Sequence, residues 1–322
     1  MSATRPPTPE FREDGQFIRQ PNRFTDRIAL DSQSSPGRGP DSAHRWPVEA
    51  GRYQLVVSLA CPWAHRAVIV RRLLGLEAAL GLSVVDPVRD GRGWRFTLDE
   101  DGRDPATGLA FLAEAYLRTD PGYDGRVTVP AVIDTLTGLV VTNDYPRLTL
   151  DLSTEWRTLH APGAPDLYPE RLRDRIDQVN GEVFGAVNNG VYRCGFATRQ
   201  AEYERAYRRL FDRLDELSAR LAGQRYLCGD TLTEADVRLF TTLVRFDAVY
   251  HGHFKCNRSK LTELPVLWAY ARDLYQTPGF GDSTDFGHIK AHYYLTHPAL
   301  DPTGIVPVGP DEAGWLEPHG RG

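Results

Sequence analysis

Lysine is almost missing from this chain. Three residues, Lys255, Lys260 and Lys290, are all it has, so nearly all of its 38 basic side chains are arginines. That bias is the usage of a GC-rich genome, and no fold requires it. A basic excess is missing too: 43 acidic residues leave a formal charge of −5, and the two signs are interspersed. No basic stripe follows a phosphate backbone, which argues against a nucleic-acid or anionic-membrane partner. Long apolar runs are absent, with nothing near the roughly 18 consecutive apolar residues of a spanning helix. The start, MSATRPPTPEFRED, lacks the apolar core of a signal peptide, so a cytoplasmic location is expected. Cysteines number four (Cys61, Cys194, Cys228 and Cys256) and are too scattered for a disulfide framework, so each is read as a thiol. No metal site is expected, because His251, His253 and Cys256 lack a fourth ligand.

What is present is ordinary globular composition, 41% hydrophobic and 25% charged, over 322 residues. That length suffices for two domains with separate cores. Residues 1–50 carry Pro, Gly, Ser and Arg around isolated aromatics and predict an extended arm. The run YQLVVSL at 53–59 predicts a strand, and Pro62 opens a helix in which Ala67, Val70, Leu73 and Leu74 recur at helical spacing up to Gly75. A second strand is expected at 82–85. Residues 88–124 are polar and glycine-rich and read as an insertion. Strands at 127–134 and 139–142 and a helix at 144–152 complete the first domain, with Pro130 inside a strand pointing to a cis peptide. Beyond a proline-rich linker, helices are predicted near 169–187, 199–222, 234–250 and 263–277, followed by an irregular tail. Thr233 and Asp236 form the cap of the third. The domains are therefore 1–50, an arm; 51–154, thioredoxin-like with its insertion at 88–124; and 169–322, helical with an irregular tail.

Cys61 stands where a strand meets a helix N-terminus. Amide donors and the helix dipole there favour a thiolate, although spacing alone leaves a buried capping cysteine equally open. Ala64 takes the place of a second redox cysteine, so a mixed disulfide at Cys61 needs an external thiol to resolve it. Cys194, Cys228 and Cys256 have apolar neighbours and read as packing residues.

The blocks SLACPWAHR at 58–66, NNGVYRCGFA at 188–197, TLTEADVRLF at 231–240, RFDAVYHGHFKCN at 245–257 and HIKAHYY at 288–294 lie in one order along the chain. Together they resemble the glutathionyl-hydroquinone reductases, the xi class of glutathione transferases, over about residues 40–310. The resemblance implies an α/β plus all-α architecture, with an N-terminal thioredoxin-like domain and an all-helical C-terminal domain that supplies the acceptor pocket. It also implies a homodimer, a small-molecule thiol such as glutathione, and a quinone or hydroquinone conjugate as substrate. Cys61 becomes the nucleophile. Tyr192 and Tyr293, in preference to Tyr294, become hydrogen-bond donors to the ring hydroxyls. Trp94 matches a tryptophan packed on the bound thiol, and Val129 with Pro130 matches the edge that pairs with the thiol's backbone. Arg126 is read as a bidentate partner for a ligand carboxylate, with a solvated arginine as the open alternative. One departure concerns the γ-glutamyl end of glutathione. Relatives carry an acid and a serine there, whereas this chain has Asp144 and Tyr145, followed by Pro146. That change, with the arginine bias, points to a different thiol such as mycothiol. The competing readings are a conjugating transferase or dehalogenase, and a non-catalytic binding module on the same fold.

Overall fold

A computed structural model describes residues 14–30 and 45–321. The chain divides into two compact units, one built on Gln20–Pro165 and the other on Asp166–Gly322 together with Glu10–Arg19.

In the first unit, β1 (Arg27–Ile28) pairs in parallel with β2 (Arg45–Trp46). The main sheet follows with β3 (Tyr53–Val57), α1 (Pro62–Leu73), β4 (Leu80–Val84), α2 (Leu112–Thr119), β5 (Ala131–Asp134), β6 (Leu139–Thr142) and α3 (Tyr145–Thr154). Strand order is β4-β3-β5-β6. β3 runs parallel to β4, with Val57 opposite Val84, and antiparallel to β5, with Leu55 opposite Val132. All five residues of β3 are buried, so its sequence is apolar except at Gln54, whose amide donates to Ser83 Oγ at 2.7 Å. α1 ends in a Schellman motif. Gly75 takes φ +65°, its N–H donates to the Arg72 carbonyl, and the Leu76 N–H donates to that of Arg71. Arg71 then ties the helix to β4 by donating to the Leu80 carbonyl at 2.6 Å.

Three features depart from the sequence reading. Residues 127–130 are not strand: β5 begins only at Ala131, after the cis Val129–Pro130 peptide, because Pro130 has no N–H to give to a ladder. The stretch 88–124 is not all insertion, since it contains α2, which buries Leu112, Ala115, Tyr116 and Thr119. The arm is also divided. Thr25 bridges Thr142 at the edge of β6 within the first unit, whereas residues 14–19 belong to the second.

The second unit is helical. α4 (Arg173–Val183) passes into a π-helical turn, Phe184–Asn188, and then α5 (Gly190–Gly195). The long α6 (Gln200–Ala222) and α7 (Glu234–Leu243) follow, and α7 leads into a second π turn, Phe246–Tyr250. α8 (Pro265–Tyr275) and α9 (Phe286–Thr296) complete the set. α9 occupies ground read partly as tail. Its buried face is Phe286, Ile289, His292 and Tyr293, too polar to register as an apolar stripe. After α9 the chain is irregular. It is anchored by Trp315 against Trp268, at 4.6 Å between ring centroids, and by Arg321, which donates to the carbonyls of Leu221, Gln224 and Arg225.

Candidate active site: a thiol edge and a phenol cluster

β3 ends at Val57, and three residues of turn bring the chain to Cys61, the N-cap of α1, with Pro62 opening the helix. The Cys61 N–H donates to the Ser58 carbonyl at 3.0 Å. Its side chain is half-buried, and Sγ lies 3.5 Å from the Val129 carbonyl, to which the thiol donates. The cis peptide at Pro130 therefore sits beside the sulfur.

A buried polar network holds that edge in place. The Tyr116 hydroxyl donates to the Thr128 carbonyl at 2.7 Å. The Asn143 amide donates to the Tyr116 hydroxyl and to Thr128 Oγ1, both at 3.2 Å, and its oxygen accepts from the Phe24 N–H at 3.1 Å. Burial pushes the Tyr116 phenol well above its usual range, so it remains a proton donor. The segment before Val129 is fixed from the other side as well. The Arg126 N–H donates to Gln20 Oε1 at 2.8 Å, and its carbonyl accepts from the Tyr123 hydroxyl at 2.6 Å. Trp94 is buried, with the Arg89 guanidinium over its ring at 5.1 Å.

Asp144 caps α3 and accepts from Asn22 Nδ2 at 3.0 Å. The Tyr145 ring packs against Trp63, two residues beyond Cys61, at 4.8 Å between centroids. Cys61 thus touches Val129 directly, and Tyr145 reaches the start of α1 through Trp63.

The second unit carries a phenol cluster. The Tyr192 and Tyr293 hydroxyls are 2.5 Å apart, and Tyr293 also meets the Tyr250 hydroxyl at 2.9 Å. Tyr294 faces elsewhere, donating to the Ala248 carbonyl and packing on His253. Burial drives the phenols of Tyr250 and Tyr293 well above the ordinary tyrosine range, and neighbouring phenols add to the shift. Both are donors at any physiological pH. Arg19 lies over the Tyr192 ring at 4.7 Å and donates to Asn189 Oδ1 at 3.1 Å. Tyr250 escaped the sequence reading, although it stands inside the block RFDAVYHGHFKCN; the signal was a tyrosine closing the apolar pair Ala248–Val249 just before a turn.

The remaining cysteines are free. Burial raises the thiols of Cys228 and Cys256 above the usual value, which makes them poorer nucleophiles. Among the described residues, no three His, Cys, Asp or Glu side chains are grouped to hold a metal.

The family model for the glutathione S-transferase C-terminal domain matches residues 200–273. Over 315 residues the chain is 42% identical to the glutathionyl-hydroquinone reductase YqjG of Escherichia coli (strain K12), covering 95% of this chain and 92% of that protein. The glutathione-bound structure of YqjG matches with a TM-score of 0.86 over 93% of this chain and 96% of that one. A glutathione transferase from Gordonia bronchialis DSM 43247 is 59% identical, with a TM-score of 0.88 over 92% of this chain and 90% of that one. The glutathione-S-transferase Xi of Phanerochaete chrysosporium is 42% identical, with a TM-score of 0.87 over 94% and 95% of the two chains. The mixed sheet is accordingly the thioredoxin-like half of a glutathione-transferase fold, and the helical unit is its C-terminal half. With identity sustained along nearly the full length of both partners, the chain belongs to the glutathionyl-hydroquinone reductases, the xi class of glutathione transferases.

Proposed function

We propose that this chain reduces thiol-conjugated hydroquinones, with Cys61 as nucleophile. The observation that carries the reading is the half-exposed Cys61 thiol at the start of α1, 3.5 Å from the carbonyl of a cis Val–Pro edge. A helix N-terminus favours the thiolate. The Val129 carbonyl beside the sulfur is a backbone group with which an amide of the bound thiol can pair.

The thiolate attacks the sulfur of the aryl thioether. An S–S bond forms as the aryl C–S bond breaks, its electron pair passes to the ring carbon, and that carbon takes up a proton, releasing the hydroquinone. A second thiol attacks the mixed disulfide, returning Cys61 as thiolate and leaving in a disulfide with the conjugate's own thiol. Cys61 is regenerated, so the two electrons that reduce the ring come from the conjugate's own sulfur and the second thiol, which end as the disulfide. Tyr192 and Tyr293 are assigned to the ring hydroxyls, with Tyr250 added as the third member of the chain. Phenols held protonated by burial suit the donor role. Trp94, Arg126, Val129 and Pro130 are assigned to the thiol ligand.

The thiol itself is proposed to differ from glutathione. Tyr145 puts an aromatic ring, packed on Trp63, where a small hydroxyl would receive a carboxylate, and Pro146 removes an N–H from the first turn of α3. Mycothiol, a sugar-based thiol, has no γ-glutamyl end to place there.

The test follows hydroquinone release from a glutathionyl-hydroquinone with either glutathione or mycothiol, for the wild type and Cys61→Ala. Release with mycothiol in large preference, abolished in the variant, is expected. Equal or better turnover with glutathione would overturn the thiol assignment. Unchanged turnover in Cys61→Ala, or none with either thiol, would overturn the reaction and leave the binding-module reading.

A further inference from the structure

The second unit contains a cavity that the chemistry above does not use. It is a half-open pocket of about 280 Å³ between the π turn Phe184–Asn188, α5, α6 and the segment carrying Phe17. Its walls hold three arginines, Arg193, Arg205 and Arg209, against a single acid, Glu202. That acid is already engaged by Arg205 at 3.0 Å.

The other two guanidiniums converge on Gly185. Arg193 Nη1 donates to the Gly185 carbonyl at 3.1 Å, and Arg209 Nη2 lies 3.3 Å from where a Cβ on Gly185 would stand. Neither Arg193 nor Arg209 has a carboxylate partner among the described residues. Arg193 is also half-buried. Burial lowers its affinity for its proton, and the positive charges of Arg209 and Arg19 lower it further. Two like charges lining a half-open cavity are stabilised by a counter-charge, and guanidinium forks pair bidentately with carboxylate and phosphate oxygens.

We propose that this cavity binds a small dianion, carrying carboxylate or phosphate groups, on Arg193 and Arg209. The ligand also borders the support of the phenol cluster. Phe17 lines the cavity and stacks on Tyr192 at 6.0 Å, and Arg193 directly follows Tyr192 in α5. The inference needs no assumption about the reaction at Cys61. The same site would serve as a binding pocket on a chain without reductase activity.

Isothermal titration of the full chain at pH 8 with inorganic phosphate and, separately, with succinate, both dianions there, tests this against sodium chloride at matched ionic strength. Saturable one-site binding of at least one dianion is expected, and the stronger of the two identifies phosphate or carboxylate as the natural group. Two variants probe different parts of the claim. Arg209→Gln, at an exposed position on α6, is expected to weaken binding at least tenfold without altering the circular dichroism spectrum. Ala206→Phe, which fills the cavity and leaves every charge in place, is expected to do the same. No saturable binding above the chloride control would overturn the proposal, as would equal affinity in Arg209→Gln. Wild-type affinity in Ala206→Phe would reduce the effect to surface charge and likewise overturn it.

Discussion

His253 is held uncharged by its surroundings. Burial lowers its pKa from 6.5 to about 4, Lys255 pushes the same way, and Asp301 opposes. Its Nε2 lies 3.2 Å from His297 Nδ1, so an added proton would face a second imidazole. The unfolded chain binds that proton below 6.5 and the folded chain only near 4, so between these values the unfolded state carries more protons. Stability is therefore complete above pH 6.5 and is lost as pH falls toward 4, by up to about 3 kcal/mol. Urea titrations of wild type and His253→Gln at pH 7 and pH 4.5 check this: the variant is expected to lose distinctly less than the wild type on acidification. Equal losses would remove His253 from the account. At this scale the sequence was informative where chemistry and local position coincide, as at Cys61, whose strand, proline and helix are contiguous. It was uninformative at Asn143 and Tyr250. Their roles come from partners far along the chain, Phe24 and Thr128 for the one and Tyr293 for the other.

The cap of α7 is worth more than its position suggests. Asp236 is fully buried and accepts from the N–H groups of Leu227 and Thr233 at 2.9 Å, from the Thr233 hydroxyl, and from the Tyr270 hydroxyl at 2.8 Å. One carboxylate thus joins the start of α7 to the loop before it and to α8. Removing it leaves several buried donors unpaired, so Asp236→Ala is expected to cost on the order of 3–5 kcal/mol, well beyond an exposed cap. Chemical denaturation would show it, and a loss near 1 kcal/mol would mean that water replaces the carboxylate. The Thr–Glu–Ala–Asp signature made this cap readable in advance. α1 was readable for the same reason, with Pro62 and Gly75 marking its ends. α2 was not: its eight residues show helical spacing of Leu112, Ala115, Tyr116 and Thr119 only once the glycine-rich residues before it are set aside. The two π turns leave no trace in hydrophobic period, because the extra residue per turn disturbs the very spacing used to find helices.

For the whole molecule, the homodimer implied by the family resemblance is a proposal, and sedimentation equilibrium at twice the chain mass is the expected result; a single chain mass at micromolar concentration would contradict it. The division into an α/β and a helical half was legible from the change in period after the proline-rich linker, because that change is local. The assignment of residues 14–19 was not, because only the folded chain brings the Gly15 carbonyl to the Thr198 N–H at 3.1 Å and Phe17 to Tyr192. That short segment has a practical consequence for anyone handling the protein. The helical half is discontinuous in sequence, so a fragment beginning at Asp166 lacks part of its own structure, and a shortened version beginning at Gln20 looks harmless on a domain diagram. Such a truncation strips Phe17 and Arg19 from the Tyr192 ring and opens one wall of the arginine-lined cavity. An inactive preparation made that way would report on where the gene was trimmed and not on the enzyme.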